Sequence, residues 1–480
     1  MKILTAAEIR EADRRTVAAG IPSLILMENA AHRVVEAMRT SFGPLSQQHV
    51  AVFCGKGNNG GDGLAIARIL AVVDRPRRLD VYLTEVPTQP DALANYQMLA
   101  AVGIAPLAAI EPAARHATLV VDALLGTGAN GAPRGLAREW IGEINTGFPA
   151  AKVIAVDLPS GINADAPEAS NDYVRADLTV TFTAPKHAHA LPPNCDRMGR
   201  LVVAPIGTRD DLLDDITLHW LTPAHFAAIL GPRPRGGHKG TFGHALIVGG
   251  AQGKTGAAQM AGMAALRAGA GLVTVASTGA STGGPFPPEL MTAPLAAPEF
   301  ANKTVAAIGP GLGLDERVLD WFNTSPLPLV LDADALNTLA GHPFHGPGTL
   351  RVLTPHPGEM ARLSPAALQP RLALARDFAV NRNVVLVLKG QRTLIAVPDG
   401  HVNVNPTGTP AMGTAGTGDI LTGLLAGFLA QHKDHAREAI LAAVWLHGQA
   451  GEFAAAALGE RSAIATDLLQ YLPDAIRHAL

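Results

Sequence analysis

One stretch of the sequence combines the residue types that phosphoryl transfer needs. Thr414-Ala415-Gly416-Thr417-Gly418-Asp419 places small residues and one carboxylate directly before an apolar run that continues to Phe428. The first amides of a helix have no intrahelical partner and lie at the positive end of the helix dipole, so they stabilise a phosphoryl group. Asp419 can accept the proton of a hydroxyl group that attacks this phosphoryl group. The stretch predicts an anion site with a base, although a glycine-rich turn with Asp419 as a helix cap explains the same residues.

A second candidate site follows the first predicted strand, which covers residues 49–54. The strand leads into Gly55-Lys56-Gly57-Asn58-Asn59-Gly60-Gly61-Asp62-Gly63, and a helix is predicted over 64–72. The glycine spacing matches the G-x-G-x-x-G pattern of dinucleotide-binding loops. The other positions of the loop are polar, namely Lys56, Asn58, Asn59 and Asp62. We therefore expect side chains, as well as backbone amides, to bind a ligand here.

Polar residues also follow two further predicted strands of the first half. The strands 118–121 and 152–156 lead to Asp122 and to Asp157-Leu158-Pro159-Ser160. Because ligands bind outside the carboxyl ends of parallel strands, we expect these residues to converge with Asn59 on one crevice. Asn59, Asp122 and Ser160 offer the oxygen donors that suit a hard cation. Each residue taken singly also suits an ordinary turn or helix cap.

Lys186 follows the predicted strand 178–183 and is a candidate for polarising a substrate group. A lysine after a strand is also a common surface residue, so this alternative stays open. His187 and His189 alternate with alanine and lack the spacing of a metal motif, and we predict no role for them.

The second half of the chain repeats the arrangement of polar turns at predicted strand ends. These turns are His238-Lys239-Gly240, Gly309 to Gly313, Asp332 to Asn337, Thr354 to Glu359, and Lys389 to Thr393. Lys389 and the amides that follow it could hold a nucleotide phosphate, which the stretch 414–419 would complete. No G-x-x-x-x-G-K-[ST] motif occurs, so the pattern indicates a nucleotide-dependent α/β enzyme outside the P-loop class.

The elements that must position these residues are alternating strands and helices in two domains. A chain of 480 residues with 48% hydrophobic residues is too long for one ordinary core and rich enough to form two. A Pro- and Gly-rich stretch, 231–237, follows an acidic segment near 210–215. We place the boundary near 215, giving domains 1–215 and 216–480.

Composition excludes several classes of function. The net charge of −3 and the lack of a basic run argue against a nucleic-acid surface. Two cysteines do not make a disulfide framework, and their spacing is not that of a metal site. We expect no signal peptide and no membrane span, and we expect the protein in the cytoplasm.

With these motifs in view, the whole chain resembles the bifunctional NAD(P)H-hydrate repair enzymes, which join an NAD(P)H-hydrate epimerase to an ADP-dependent (S)-NAD(P)H-hydrate dehydratase. The resemblance rests on the polar turns of both halves, which occur in the order expected for that family. It implies an α/β protein in which an N-terminal Rossmann-like, doubly wound domain is followed by a C-terminal ribokinase-like domain.

The resemblance also implies site residues. In the first domain, K⁺ is expected at Asn59, Asp122 and Ser160. Substrate contacts are expected at Asn58, Asn59, Gly60, Gly61, Asp62, Gly126, Thr127, Gly128, Ala129, Asn130, Gly131, Ala132 and Asp157. In the second domain, Ala257, Gly313, His356 and Asp419 are expected to face the hydrated cofactor. ADP is expected at Lys389, Gly390, Gln391, Arg392, Thr393, Gly416, Thr417 and Gly418.

The chemistry that the resemblance implies suits these residues. The hydrate carries a hydroxyl group at C6 that leaves poorly until it is phosphorylated. Asp419 as base and the 416–418 amides as charge stabiliser suit that transfer, with Mg²⁺ accompanying ADP. The first domain would interconvert the two C6 epimers, with Asp157 and Lys186 as candidates for proton transfer. Ring opening, water loss and deprotonation all stay open as routes.

Three other functions compete with this one. An oxidoreductase would use the G-x-G-x-x-G match to bind NAD and would place an acidic residue such as Glu85 after the second strand. A ribokinase-like small-molecule kinase with an N-terminal dinucleotide-binding module would accumulate a phosphorylated product. A dinucleotide-sensing scaffold would bind without turnover, which Asp419 argues against. We expect hydrated NADH or NADPH and ADP as the only partners, in a homo-oligomer without nucleic acid or membrane.

Overall fold

The computed structural model describes residues 1–128, 131–165, 171–278, 286–364 and 369–480. The described chain divides into two compact units, Lys2–Ile216 and Thr217–Leu480, and Met1 belongs with the second. Both units contain parallel strands and helices in alternation, so the predicted α/β class is confirmed. No helix in the described ranges is long and apolar enough to cross a bilayer.

The first unit contains a parallel sheet that has six strands within the described residues, in the order β2-β1-β3-β4-β5-β6. The strands are β1 (His49–Cys54), β2 (Arg78–Leu83), β3 (Leu119–Ala123), β4 (Lys152–Val156), β5 (Leu178–Phe182) and β6 (Arg200–Ala204). The helices are α1 (Ala6–Ala18), α2 (Ser23–Phe42), α3 (Asn58–Ile69), α4 (Pro90–Ala101), α5 (Gly135–Thr146) and the short α6 (His187–Ala190). The strand order reverses between β1 and β3, and this switch point is where ligands bind in open parallel sheets.

Strand β1 shows why the sheet is covered on both faces. Successive side chains of a strand point to opposite faces, and Val50 and Val52 pack in the core that includes α2 and α3. Phe53 points to the other face, where its ring stacks on Tyr82 with centroids 4.7 Å apart and meets Trp140 edge-on at 5.5 Å. A continuous apolar strand is typical of a sheet buried on both sides.

Helix α1 begins with the capping box that its sequence predicts. The Thr5 hydroxyl accepts a hydrogen bond from the Glu8 amide, and the Glu8 carboxylate accepts one from the Thr5 amide at 2.7 Å. Two amides without intrahelical partners are satisfied in this way.

Helix α3 corrects one prediction. It begins at Asn58, six residues before the predicted start at Leu64, so the polar positions 58–62 form its first turns. Glycine disfavours helix, but close packing overrides this preference. A methyl group on Gly60 would lie 1.7 Å from the Gly55 carbonyl oxygen, and one on Gly63 would lie 2.8 Å from Cys54 Sγ. These glycines allow α3 to approach β1 closely.

The second unit contains a sheet with ten strands in the described part of the chain, in the order β10-β9-β8-β11-β12-β13-β14-β15-β16-β7. The strands are β7 (Leu218–Trp220), β8 (His244–Val248), β9 (Leu272–Ser277), β10 (Met291–Pro294), β11 (Val305–Ile308), β12 (Leu329–Leu331), β13 (Arg351–Leu353), β14 (Val385–Leu388), β15 (Leu394–Ala396) and β16 (Val402–Val404). Only the β14–β15 and β15–β16 pairs are antiparallel among the described pairings. The chain order reverses between β8 and β11, which makes a second switch point.

The helices of the second unit are α7 (Thr255–Ala268), α8 (Arg317–Thr324), α9 (Asp334–Leu339), α10 (Pro357–Leu363), α11 (Arg371–Arg382), α12 (Thr417–Gln431), α13 (Ala436–Leu458) and α14 (Asp467–Ala479). Helix α12 is the apolar run after Asp419, and its residues Ile420 to Ala430 are buried. It packs on α7 through small residues. A methyl group on Gly423 would lie 2.0 Å from the Ala261 carbonyl oxygen, and one on Gly427 would lie 2.5 Å from that of Ala265.

Candidate functional site

A cavity of about 880 Å³ opens at the switch point of the first sheet, within the size range of small-molecule sites. One part of its wall comes from the residues that follow β1, β3, β4 and β5, as expected for the carboxyl edge of a parallel sheet, and another part comes from α1 and α2. The wall includes these sequence-predicted residues: Asn58, Asn59, Asp62, Gly126, Thr127, Gly128, Asp157 and Lys186. The loops after four strands therefore supply one site.

Some sequence-predicted residues lie elsewhere. Gly60 and Gly61 are buried, the first against Gly55 and the second against Met27 and Ala92. These two glycines allow α3 to pack closely. Their polar neighbours Asn58, Asn59 and Asp62 form the cavity wall. Gly131 and Ala132 are not part of the cavity wall, and Ala129 and Asn130 lie outside the described residues.

Asp157 and Lys186 form a buried ion pair at the cavity. Lys186 Nζ donates to Asp157 Oδ1 at 2.6 Å and to Thr181 Oγ1 at 2.8 Å, and the lysine side chain is only 1% exposed. The surface alternative for Lys186 is therefore wrong. Burial alone would raise the pKa of Asp157, but the Lys186 ammonium outweighs it and lowers that pKa below its usual range. Asp157 is thus a carboxylate that stays ionised.

His189 supports this pair, and sequence analysis assigned it no role. Its Nδ1 accepts a hydrogen bond from the Lys186 amide at 2.8 Å, and its Nε2 lies 2.9 Å from the Asp157 carbonyl oxygen. Burial and the nearby Lys186 lower the His189 pKa to about 3, so the ring is neutral. The Nδ1 lone pair is used as an acceptor, so Nε2 carries the hydrogen and donates to Asp157. The i, i+3 spacing of the lysine and this histidine was the signal that could have revealed the contact.

Asp122 and Ser160 form a second buried pair. Ser160 Oγ donates to Asp122 Oδ1 at 2.6 Å, and the Ser160 amide donates to Oδ2 at 2.8 Å. Burial raises the pKa of Asp122 to about 6, against the effect of these hydrogen bonds. No ion pair joins Asp122 to a lysine, arginine or histidine among the residues that the structure describes. The carboxylate therefore lacks a counter-charge.

Asn59 lies beside the turn that follows β3. A methyl group on Gly126 would come within 3.1 Å of the Asn59 side chain, and the buried Asn59 Nδ2 has no hydrogen-bond partner in the described chain. Amide, carboxylate and hydroxyl oxygens are the donors that a hard cation prefers. Asn59, Asp122 and Ser160 fit a bound K⁺, which would supply the counter-charge that Asp122 lacks.

The second unit brings polar residues from several strand ends to the start of α12. Lys389, after β14, donates to Asp332 Oδ1 at 2.7 Å, and Asp332, after β12, accepts at Oδ2 from Thr422 Oγ1 at 2.7 Å. Glu359 Oε2 lies 3.8 Å from Lys389 Nζ. Burial opposes the charge of Lys389, but Asp332 and Glu359 raise its pKa. Asp332 and Thr422 were not among the predicted site residues, although Asp332 opens one of the turns singled out in the sequence.

Asp419 lies in the first turn of α12, which begins after Gly416 in the left-handed conformation (φ 96°). A methyl group on Gly418 would lie 3.4 Å from Lys389 Nζ and 3.7 Å from Asp332 Oδ2, so the network faces this turn. Burial raises the pKa of Asp419 to about 6, and the Asp332 carboxylate adds to the shift. Asp419 has the properties of a base poised just below neutral pH.

The other predicted cofactor-facing residues of the second unit come from three elements, which are the start of α7 for Ala257, the turn after β11 for Gly313 and the cap of α10 for His356. The Gly313 amide donates to Asp334 Oδ2 at 2.8 Å, and Lys254 lies 3.4 Å from the same oxygen. Ala257 packs near Gly311 in that turn. His356 caps α10, because its Nδ1 accepts from the Gly358 amide at 3.0 Å.

Arg371 binds the backbone of the predicted nucleotide segment Lys389–Thr393. The sequence did not predict this role for Arg371. The guanidinium donates to the Leu388 carbonyl oxygen at 2.9 Å and to that of Lys389 at 3.2 Å. It also donates to the carbonyl oxygens of Gln391 and Arg392. With its carbonyls bound to one guanidinium, the segment has a fixed shape.

Both sites contain residues with positive φ that are not glycine. Asp157 (φ 65°) and Thr183 (φ 64°) follow β4 and β5 at the first cavity, and Ala333 (φ 48°) lies between Asp332 and Asp334. Such backbone is strained for residues with a side chain, most of all for a β-branched one. The turns that carry the key carboxylates are therefore among the strained positions of the chain.

Comparison with known families matches both halves of the chain. Residues 23–188 match the family described as YjeF-related protein N-terminus, and residues 245–474 match the family described as NAD(P)H-hydrate dehydratase.

Relatives named bifunctional NAD(P)H-hydrate repair enzyme Nnr align along the whole chain. The Moorella thermoacetica protein is 42% identical over 100% of this chain and 97% of its own length. The Coxiella burnetii protein is 38% identical over 97% of each chain, and the Escherichia coli protein is 34% identical over 97% of this chain and 92% of its own.

A solved structure of similar fold matches about half of the chain. It is the ADP/ATP-dependent NAD(P)H-hydrate dehydratase from Bacillus subtilis, co-crystallised with ATP and Mg²⁺. The two are 34% identical with a TM-score of 0.51, over 55% of this chain and 99% of that one.

Proposed function

The chain belongs to the bifunctional NAD(P)H-hydrate repair enzymes, and on that premise we propose how its two units divide the repair. The unit Lys2–Ile216 interconverts the R and S forms of hydrated NADH and NADPH. The unit Thr217–Leu480 dehydrates the S form at the expense of ADP, giving AMP and phosphate. The match of residues 245–474 to the dehydratase family supports this division.

The observation that carries the dehydratase proposal is the base at the start of α12. Asp419 takes the proton of the C6 hydroxyl group as that oxygen attacks the terminal phosphoryl group of ADP. The amides at 416–418 stabilise the charge that develops on the phosphoryl oxygens. The phosphate then leaves C6 with the electron pair of the C6–O bond, and C5 loses a proton to solvent as the C5=C6 double bond forms. A pKa near 6 supports this role, because the base is largely ionised at neutral pH.

Lys389 holds a phosphate of the nucleotide, and Asp332 keeps its ammonium in place at 2.7 Å. The segment Lys389–Thr393, fixed by Arg371, presents its amides to the same nucleotide. Bound Mg²⁺ would supply charge neutralisation between the phosphates. Among the described residues no group of three or more His, Cys, Asp or Glu forms a metal cage. An Mg²⁺ ion that accompanies a nucleotide is held mainly by the phosphates and water, with one or two carboxylates, for which Asp332 is the candidate.

The epimerase reaction takes place in the cavity of the first unit. The polar wall at 58–62, the turn 126–128 and Asp157 bind the hydrated nicotinamide nucleotide, while Asp157 and Lys186 take part in proton transfer. The buried ion pair of these two supports the proposal, since it keeps an ionised carboxylate at the wall. Bound K⁺ at Asn59, Asp122 and Ser160 would supply positive charge beside the substrate.

The rival small-molecule kinase uses the same base and phosphate site but keeps its phosphorylated product. We also propose that the protein acts in the cytoplasm as a homo-oligomer, on small molecules alone. The net charge of −3 supports the absence of nucleic-acid partners.

The decisive experiment follows the near-ultraviolet absorbance of reduced nicotinamide on mixed epimers of NADH hydrate with ADP and Mg²⁺. We expect the intact chain to recover NADH from both epimers, with one phosphate released per NADH. Asp122→Ala should convert the S form at the normal rate and the R form slowly. A stable phosphorylated product without NADH would reject repair and favour the kinase.

A further inference from the structure

Helix α1 brings one carboxyl group to the epimerase cavity. Ile9, Arg10, Asp13 and Val17 lie on the cavity wall, and their spacing places them on one face of the helix. The other acidic residues of α1 are engaged elsewhere. Glu8 belongs to the capping box, and Glu11 pairs with two arginines of its own helix.

Asp13 has no hydrogen bond and no ion pair with any residue in the described ranges. It is partly buried, and its charge interacts with Lys186 and Asp157 of the opposed strand ends. A carboxyl group that folding partly removes from water and leaves without a partner has an environment that favours its neutral form.

The charged groups around Asp13 come from several elements. Its own helix contributes Arg10, α3 contributes Asp62, and the turns after β4 and β5 contribute Asp157 and Lys186. The cavity wall also carries Lys56, Glu85, Asp91 and Arg134. Three carboxyl groups thus share the neighbourhood of one buried ammonium.

These carboxyl groups do not ionise alike. Burial raises the pKa of Asp13 to about 6, with Asp157 adding to the shift and Lys186 opposing it. Burial raises the pKa of Asp62 well above its usual value, and the nearby charges of Asp157 and Asp13 raise this pKa further. The pKa of Asp157 is lowered. Asp13 and Asp62 together retain a proton under conditions in which Asp157 is ionised, a division typical of an acid and a base in one site.

Inversion at C6 of the hydrate calls for such a division. The C6 hydroxyl group and the ring nitrogen N1 share one carbon, so the substrate is a cyclic hemiaminal that can open and close. Opening requires a base at the hydroxyl group and an acid at the nitrogen. Asp157 and Lys186 supply the base and its counter-charge, and no acid has been assigned.

Building on the proposed epimerase function, we propose that Asp13 is the catalytic acid of the epimerase, reaching the substrate from helix α1 while Asp157 acts as the base. The Asp157 carboxylate accepts the hydroxyl proton, and the electrons of the O–H bond form the C6=O double bond. The C6–N1 bond breaks, its electron pair moves to N1, and the Asp13 carboxyl group donates its proton there.

Closure reverses these steps on the other face of the carbon. After rotation about the C5–C6 bond, N1 attacks C6 and returns its proton to Asp13, while Asp157 returns its proton to the oxygen. Nothing is oxidised or reduced, and no water enters or leaves.

The test uses the full chain with purified R and S epimers of NADH hydrate, ADP and Mg²⁺. Asp13→Asn removes the acid and keeps its shape, Asp13→Glu keeps an acid, and Glu11→Gln removes a neighbouring carboxylate outside the cavity. We expect Asp13→Asn to lower kcat for the R epimer about 100-fold or more, with KM within about threefold. Asp13→Glu should recover part of that loss, and Glu11→Gln should match the parent chain.

The pH profile distinguishes an acid from a residue that only supports the fold. For the parent chain, kcat on the R epimer should fall as the pH rises above about 6, where Asp13 loses its proton. This descending limb should be absent or displaced in Asp13→Asn. A parental kcat in Asp13→Asn, or a lower kcat with an unchanged limb, would overturn the assignment.

The S epimer provides the internal reference, because it needs only the second unit. All variants should convert it at the parental rate. If the parent chain consumes the S epimer and never the R epimer, the epimerase function itself fails, which is a different result from an unaffected Asp13→Asn. In water enriched in the heavy oxygen isotope, the inverted hydrate should keep its original oxygen. Incorporation of one solvent oxygen per inversion would overturn the ring-opening route.

Discussion

Asp157 is a buried and Asp419 a partly buried carboxyl group at a strand or helix end, and the pKa values of the two shift in opposite directions. Asp419 has the negative Asp332 as its main charged neighbour, so burial and repulsion together raise its pKa to about 6. Asp157 has Lys186 at 2.6 Å, which offsets burial and lowers its pKa. Each aspartate has a lysine nearby, but only Asp157 has the ammonium in direct contact, and this contact makes Asp157 a fixed charge while Asp419 stays a base poised near neutral pH.

Asp419→Asn should lower the dehydration rate of the S epimer by about 10²- to 10⁴-fold, because the hydroxyl proton then has no acceptor. In the parent chain kcat should fall as the pH drops through about 6, since protonation removes the base. The exposed Asp434→Asn is the control and should behave as the parent chain. A pH profile of kcat with the purified S epimer is the measurement, and a full rate in Asp419→Asn would contradict the role.

Lys186→Met should destabilise the first unit, because it leaves Asp157 buried without its counter-charge. We expect the free energy of unfolding to fall by about 3–5 kcal/mol. Lys152→Met removes an exposed partner of Asp177, 2.8 Å away, and should have little effect on stability, because solvent screens this pair. Urea unfolding measures both, and amide hydrogen exchange in β4 and β5 assigns the loss to the first unit. Equal effects of the two changes would contradict the buried pair.

The same pair makes stability depend on pH. The folded pKa of Asp157 lies below its unfolded value, which is about 4. Its contribution to stability is therefore complete above that value and is lost as the pH falls through the lower, folded one. In Lys186→Met this loss below pH about 4 should be smaller.

Residue types in a local pattern were predictable, and long-range pairs were not. The position of Asp419 in the first turn of a helix could be predicted, because a carboxylate among glycines before an apolar run is typical of a helix start. The contacts of Arg371 and the contact between His189 and Asp157 could not be predicted, because these partners are fixed by how the strands and helices pack. Asp13 lies in an ordinary amphipathic helix, and only the cavity distinguishes it from the other acids there.

At the scale of elements, small residues determine how closely the helices approach each other and the strands. The sequence predicted the alternation of strands and helices but placed the start of α3 six residues too late, because local propensity disfavours glycine in helices. Contact with β1 compensates for that propensity. The packing of α12 on α7 through Gly423 and Gly427 follows the same rule and holds the first turn of α12 in the site.

Gly423→Ala should separate α12 from α7, since the added methyl group would lie 2.0 Å from a backbone oxygen that cannot move aside freely. We expect a loss of about 1–3 kcal/mol in stability and a lower dehydration rate. Gly142→Ala in α5 meets no atom within 4 Å and should be neutral or stabilise by about 0.5–1 kcal/mol. Thermal unfolding and the dehydration rate on the S epimer test both variants. If Gly423→Ala has the stability and the rate of the parent chain, the close contact is refuted.

At the scale of the whole molecule, the described chain holds two compact units, each with its own sheet and its own polar strand-end site. The fold class could be predicted, because two successive sets of alternating strands exceed what one core accommodates. The wide second sheet could not, since β15, β16 and β7 are only three residues long each. Strands of that length leave no clear periodicity in a sequence.

Each unit should respond to its own ligand. ADP with Mg²⁺ at about 100 times its Kd should stabilise the unit that binds it by about 2.7 kcal/mol and leave the other unchanged. Calorimetry combined with amide hydrogen exchange should show protection of β12, β14 and α12 but not of β3 or β4. Lys389→Met is the control, because it removes the proposed phosphate contact. Equal protection of both units by ADP would contradict the division.

Selection for thermal stability alone should remove the strained turns of this protein. Thr183 and Ala333 hold φ values of 64° and 48° beside the two sites, at a cost on the order of 1–3 kcal/mol each. A mutant library selected only for thermal stability should become enriched in glycine at both positions, because glycine adopts these φ angles without strain. The survivors should be more stable and have a lower kcat, because the turns then hold Lys186 and Asp332 less firmly. If Thr183 and Ala333 are kept in a library that is selected for activity, the strain at these positions contributes to the catalytic rate.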